Sequence, residues 1–331
     1  MKIKWLFIGW ICLSLLNACS QAGHTKKIKL AHVLDKTHPV HLGMEFMAKK
    51  VKEKSNGTLQ IDIYPSGQLG AERECLELLQ IGSLGMTKVS ASVMENFVPD
   101  YKVFSMPYIF TSKTHQYSVL DSEIGKNILQ QGEQYWLRGM CFYDAGSRSF
   151  YTKKPVKTPE DLNGMKIRVM NSNTAINMVN TLGGSATPIS YGELYTALQQ
   201  GVVDGAENNP PSLYMSKHYE VCKYYTINEH TSVPDVLVMS TIIWNTLTPQ
   251  EQQWLQEAAT ESMHYQRKIW EKSEQESIAE MKKAGVEVIV LTPEQKAVFA
   301  QKVAPMYEQY KAEKSLYDLI QKIQKAETQP Q

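Results

Sequence analysis

The chain has 331 residues, with 35 lysines and arginines against 34 aspartates and glutamates, a formal net charge of +1. That balance argues against a protein that works by neutralising nucleic-acid phosphates. With 43% apolar and 21% charged residues it reads as a globular chain, neither disordered nor membrane-embedded, and long enough for two domains that each bury a core.

The first residues read as an address. Lys2 and Lys4 precede an apolar run from Trp5 to Leu16 that is too short to span a bilayer, and Leu16-Asn17-Ala18-Cys19 follows. This resembles a bacterial lipoprotein signal, in which the thiol after a small residue is lipidated and becomes the new N-terminus, here Cys19. Residues 1–18 are then a signal peptide and 19–27 a tether; a secretory signal without lipid and an uncleaved anchor are the alternatives. Loss of Lys2 and Lys4 takes the mature charge to about −1. Cys12 leaves with the signal, and Cys75, Cys141 and Cys222 are widely spaced with no CxxC. They read as buried thiols, with a single disulfide as the alternative, and suggest no zinc site.

Beyond the tether, Ile28 to Val33 reads as a strand, Pro39 to Ser55 as a helix stopped at Asn56-Gly57, and Leu59 to Ile63 as a second strand with period two. Strand, helix, strand with short connections is a βαβ unit and predicts a parallel sheet. Further strands are predicted at Met165–Val169 and Val286–Val290. Thr158-Pro159, Thr248-Pro249 and Thr292-Pro293 each mark a helix start, with a capping hydroxyl, proline at the first position and an acid or amide beyond. From Gln250 to Ala284 there is no glycine or proline, and Trp254, Leu255, Ala258, Met263, Trp270, Ile278 and Met281 recur at helical spacing. At 1.5 Å per residue such a helix runs about 50 Å, so it is predicted to span two domains. Glu74 to Gly82 and Glu193 to Gly201 echo each other at an offset of 119 residues, which fits two similarly built α/β lobes facing across a cleft.

Catalytic signatures are missing from the sequence: there is no HExxH, GxSxG, GxxxxGK[ST] or strand-linked GxGxxG. His32, His38 and His41 are close in sequence, but one ends a strand and two flank a helix start, where imidazoles cap more often than they bind metal. Glu72 and Glu74 fit a solvated helix face better than a catalytic dyad. Arg168 differs. Its neighbours Met165, Ile167 and Val169 alternate as apolar residues, so it points to the other face near a strand's C-terminal end, a ligand position in an α/β sheet. A guanidinium there matches a carboxylate bidentately, unless it is spent on a structural ion pair.

Over its whole mature length the chain resembles the substrate-binding proteins of tripartite ATP-independent periplasmic (TRAP) transporters. The matching residues are Ala31-His32-Val33-Leu34 with His38-Pro39, Tyr64-Pro65-Ser66-Gly67-Gln68-Leu69-Gly70-Ala71-Glu72-Arg73-Glu74, Met106-Pro107-Tyr108-Ile109-Phe110, Lys157 through Arg168, and Glu193 through Pro210. The resemblance implies an α/β, two-lobed periplasmic-binding-protein fold with the ligand cleft between the lobes and a long helix spanning both. Residues 28–146 with about 237–265 form lobe I, 147–236 with about 266–300 lobe II, and 301–331 a C-terminal helix and tail. It also implies a periplasmic binder that hands its ligand to the membrane subunits of a TRAP permease; the lipoprotein-type leader adds a membrane tether, the missing catalytic signatures argue against an enzyme, the charge balance against nucleic acid, and no cofactor or metal is expected.

The same resemblance assigns the site. Arg168, in the Lys-Ile-Arg segment, clamps the ligand carboxylate, Arg148 in Gly-Ser-Arg also reaches it, and Glu207-Asn208-Asn209 supplies Asn208, with Asn209 as the alternative register. Members with this Gly-Ala-Glu-Arg-Glu segment look like binders of sugar acids, above all D-glucuronate or D-galacturonate. Glu72, Asn173, Asn208 and Asp235 would then pair with ring hydroxyls, two arginines would neutralise one carboxylate, Tyr191 or Tyr214 would pack on the sugar face, and His32 is a cleft candidate. Diketo sugar acids, C4 dicarboxylates and 2-oxo acids are the alternative ligands, and a periplasmic sugar-acid enzyme or a sensor is the alternative function.

Overall fold

A computed structural model describes residues 25–326, so the leader, Cys19 and the last five residues lie outside it. The described residues hold eleven strands: β1 (Lys26–Ala31), β2 (Leu59–Tyr64), β3 (Met86–Ser90), β4 (Leu137–Tyr143), β5 (Arg148–Thr152), β6 (Lys166–Val169), β7 (Ser185–Pro188), β8 (Gly205–Asn208), β9 (Tyr224–Thr231), β10 (Asp235–Ser240) and β11 (Glu287–Val290). They form two sheets, ordered β2-β1-β3-β10-β4 in lobe I and β11-β9-β5-β8-β6-β7 in lobe II. No described helix is long and apolar enough to cross a membrane.

The predicted βαβ unit is present: β1 pairs parallel with β2 across the helix Pro39–Lys54, which ends at Ser55, beside Asn56 and Gly57 in the left-handed region. The sheets are nevertheless mixed, because β10 runs antiparallel to β3 and β4, and β5 antiparallel to β8 and β9. The chain crosses from lobe I to lobe II between β4 and β5 and returns between β9 and β10, so each crossing strand enters its sheet from the opposite end, and Asp235 and Val236 belong to lobe I and not, as expected, to lobe II.

The echo read from the sequence continues into the strands. β3 and β8 start at Met86 and Gly205, again 119 residues apart. Each lies between a parallel strand (β1, β6) and an antiparallel strand that crosses between the lobes (β10, β5).

Thr248 and Thr292 each open a helix through a reciprocal capping box, whereas Thr158 opens only a 3-10 turn, Pro159–Leu162, with its backbone N donating to Asp161 Oδ2 at 2.9 Å. The helix from Thr248 runs Pro249–Lys283, 35 residues or about 52 Å. It packs on the Pro39–Lys54 helix and β4 in lobe I, and on the Pro210–Met215 helix and β11 in lobe II. Trp270, fully buried, sits where the lobes join, and a Cβ at Gly146 (φ +58°) would lie 3.0 Å from its Nε1 and 2.9 Å from Glu274 Oε1. Only glycine fits that crossing segment. The segment beyond 301 is three short pieces and not one helix, since Pro305 opens a new turn. Its last piece, Lys314–Lys325, returns to lobe I, where His115 Nε2 meets the Ile323 carbonyl at 2.9 Å. Cys75, Cys141 and Cys222 are buried and free, and burial pushes their thiols up to about 11, 12 and 12.

Candidate functional site

A cavity of about 280 Å³ lies between the lobes, at the small end of the range for small-molecule sites. Its polar lining comes from Glu72, Arg73, Glu74, Lys88, Ser90 and Asp235 in lobe I and from Arg148, Arg168, Asn171, Ser190, Tyr191, Asn208, Asn209 and Ser212 in lobe II.

On the lobe II wall, Arg168 comes from β6, two residues after the exposed Lys166, with Ile167 and Val169 buried in the sheet core. Its Nε donates to the Ile189 carbonyl at 2.8 Å, which fixes the plane of the guanidinium, and Tyr191 lies with its ring 5.9 Å from Cζ. Nη1 is buried with no partner, and Arg168 forms no ion pair among the described residues. Burial pulls its pKa below the usual arginine range. A buried cation without a counter-ion is costly, and a ligand carboxylate would remove that cost.

Arg148 is in a different state. Its Nε and Nη2 donate to Glu207 Oε2 and Oε1 at 2.5 and 2.8 Å, Nη2 also reaches the Glu207 carbonyl, and Nη1 donates to Asn208 Oδ1 at 2.7 Å. Burial pushes the Glu207 carboxyl up, but Arg148 and His230 outweigh it and hold it at about 2. Arg148 thus enters the cavity already neutralised, and the free positive charge expected from two arginines comes from Arg168 alone. Asn208 spends Oδ1 on Arg148 and on the Asn209 amide, leaving its Nδ2 free. Asn209 caps the Pro210–Met215 helix by accepting from Ser212 N at 2.9 Å.

The lobe I wall is built around Lys88, 3% exposed, in a strand whose five residues are all buried. Its Nζ donates to Glu72 Oε1 at 2.9 Å and to Asp235 Oδ1 at 3.2 Å. Glu72 opens the helix Glu72–Gln80, and its Oε2 accepts from Ser90 N at 3.3 Å. Burial works against the ammonium, but Asp235 and Glu72 carry its pKa above the ordinary lysine value. Asp235 goes the other way: burial lifts its carboxyl to about 6, with Lys88 opposing and Glu72 adding to the rise.

Of the residues singled out in the sequence, the structure brings Arg168, Arg148, Asn208, Glu72, Asp235 and Tyr191 to one cavity. Asn173 is not among them. It is the exposed first residue of the helix Asn173–Thr181, and Asn171, two residues earlier, lines the cavity instead. His32 also stays outside, since both ring nitrogens are used in the fold. Nδ1 accepts from Leu34 N at 3.1 Å and Nε2 faces His41 Nδ1 at 2.9 Å, while its neighbours Val33 and Leu34 line the cavity. Tyr214 stacks on Tyr219 away from the cavity. Lys88 escaped the sequence reading, although a lysine inside Met86-Thr87-Lys88-Val89-Ser90 is a signal in itself: a buried ammonium needs carboxylates nearby.

Residues 30–314 match the DctP family, bacterial extracellular solute-binding protein family 7. The chain belongs to that family. It is 39% identical over 323 residues to the uncharacterized protein YiiZ of Salmonella typhimurium LT2, covering 97% of this chain and 98% of that one. Among solved structures, a TRAP periplasmic solute-binding protein of Pseudomonas putida F1 with bound D-glucuronate is 38% identical with a TM-score of 0.88, covering 92% of this chain and 98% of that one. Another from Bradyrhizobium sp. BTAi1, in complex with D-galacturonate, is 39% identical with a TM-score of 0.87, covering 90% and 99%. The protein is a TRAP-type solute-binding protein with the two-lobed fold of its family.

Proposed function

We propose that this chain captures a hexuronate, D-glucuronate or D-galacturonate, in the periplasm and delivers it chemically unchanged to a TRAP permease. The observation that carries the reading is the buried, unpaired Arg168 fork facing a wall of hydroxyl-reading groups. That arrangement asks for one carboxylate and several hydroxyls, and hexuronates bound to two similar proteins meet that description. Arg168 takes the carboxylate first, with Asn208 beside it. Closure of the lobes then brings up Glu72, Lys88 and Asp235. A ligand drives closure only by binding the closed state better, and contacts from both lobes supply that difference. The proposal includes tethering through lipid on Cys19, which rests on the sequence alone and is tested by the mass of the mature N-terminus.

The experiment is a thermal-shift and calorimetric screen of the protein from Thr25 onward against uronates, aldonates, diketo sugar acids, C4 dicarboxylates and 2-oxo acids. At about a thousand times Kd a ligand stabilises the fold by about 4 kcal/mol. A large shift with glucuronate or galacturonate, recovered unaltered after incubation, is the expected result. A shift only with dicarboxylates or 2-oxo acids overturns the hexuronate reading, and turnover overturns the binding role.

A further inference from the structure

The cavity is electrically polar from lobe to lobe. On the lobe II wall, Arg148 and Glu207 cancel and Arg168 remains, leaving one positive charge. On the lobe I wall, Lys88 is shared by Glu72 and Asp235 at 2.9 and 3.2 Å, and the exposed Arg73 and Glu74, which also line the cavity, cancel, leaving one negative charge.

The groups that lobe I presents are also specific in kind. Lys88 has three N–H donors and two are committed to carboxylates, while Asp235 commits Oδ1 and keeps Oδ2 without a partner among the described residues. An ammonium N–H beside a carboxylate oxygen suits a hydroxyl, which donates and accepts at once. A carboxylate suits it badly, because it only accepts, and it would set a second anion against Asp235 and Glu72.

We propose that the Lys88, Glu72 and Asp235 cluster is a charge filter: it holds hydroxyls at the end of the ligand remote from Arg168 and rejects acids that carry a second carboxylate there. The filter rests on the reading of Arg168 as the carboxylate site and narrows it. It makes the chain selective for polyhydroxy monoacids over diacids of the same length, whichever monoacid proves to be the ligand. Overall cavity charge alone would not produce this. The discrimination comes from placing the surplus charges on opposite walls, so that ligand polarity and cavity polarity must agree.

The test is calorimetric titration at pH 8, where Asp235 is ionised, with matched sets: galacturonate against galactarate, glucuronate and gluconate each against glucarate, and erythronate against tartrate. On the unmodified protein the monoacid of whichever pair binds is expected to be at least about a hundredfold tighter, because like-charge juxtaposition is strongly unfavourable. Asp235→Asn, and independently Glu72→Gln, should narrow that ratio at least about tenfold by improving the diacid. Two variants are used because Asp235 is the more buried, and the melting temperature of each ligand-free variant reports whether it folds. A diacid that binds within about threefold of its monoacid, or a ratio that neither folded variant changes, overturns the filter. If erythronate or gluconate binds and neither uronate does, the hexuronate reading fails while the filter stands. If a diacid is the best ligand, the filter fails and solute binding stands. Binding by none of the seven overturns both.

Discussion

β3 in lobe I and β8 in lobe II hold the same place in their sheets and carry buried charges of opposite sign. Lys88 on β3 pairs with Asp235 at the start of the antiparallel neighbour β10. Glu207 on β8, 119 residues further on, pairs with Arg148 at the start of the antiparallel neighbour β5. The surplus groups do not correspond. Arg168 on β6 aligns with Ala206 of β8, and the lobe I residue in that place is Ala31, aligned with Thr87 of β3. Glu72 has Tyr191 at its offset position. One scaffold position thus supplies a closed ion pair in each lobe, and residues outside the pair give each wall its sign. The lobe II pair is closed onto the fold and leaves Arg168 to the ligand, whereas the lobe I pair, shared with Glu72, itself faces the cavity.

Breaking the closed pairs should have the largest effect. Glu207→Gln leaves Arg148 buried beside Arg168 without a counter-ion, and a loss of about 3–5 kcal/mol is expected in denaturant unfolding. Lys88→Met should cost less at neutral pH, because Asp235, already raised to about 6, escapes by taking a proton. Equal losses would show that Asp235 does not escape by protonation, and a loss below about 1 kcal/mol for Glu207→Gln would show that its pair is not what holds the lobe II wall together.

Arg168 should behave in the opposite sense. Arg168→Met removes a buried charge that nothing offsets, so the ligand-free protein should gain about 1–2 kcal/mol while ligand binding disappears. Arg168→Lys keeps the charge but loses the fork, and at least about tenfold in affinity is expected, about 1.4 kcal/mol. Unchanged affinity in that variant would remove Arg168 from the site. A ligand-free protein destabilised by Arg168→Met would make the arginine structural.

Much of this was legible before the coordinates, and unevenly so. The helix starts at Thr248 and Thr292 and the turn at Thr158 rest on local capping chemistry, which four residues suffice to specify. Arg168 stood out because strand alternation assigns a face locally. The strand order was not legible, since the return after β9 pairs Asp235 with Tyr143, 92 residues away, and with Ser90, 145 residues away. Arg148 shows the same limit in the site. Its sequence neighbourhood marks it as near the ligand, but its counter-ion Glu207 is 59 residues away, and only packing reveals that its charge is spent. Asn173 and Asn171 differ by a helix cap, Ser172, which sends one into the helix and leaves the other at the cavity.

The smallest expected effect concerns what joins the lobes. Glu274 sits on the long helix against the Asp144–Gly146 crossing, faced by Lys113 and Asp144 from lobe I and by Glu229 from lobe II. Burial, then Asp144, Glu229 and Glu271 against the opposing pull of Lys113, raise its carboxyl from 4.5 to about 7. The folded chain therefore keeps a proton that the unfolded chain loses, and this contribution to stability falls as pH rises from about 4.5 to about 7. Glu274→Gln should leave the melting temperature unchanged at pH 4 and raise it by about 2–4 °C at pH 8. Asp235 bends the same curve at lower pH, so the readout is the difference between variant and parent at each pH, not the curve itself. An equal shift at both pH values would mean that Glu274 acts through packing and that the junction carries no buried charge. A shift confined to high pH would mean that the two oppositely charged walls are joined by a third ionisable group, whose charge state alters the stability of the junction without touching the ligand.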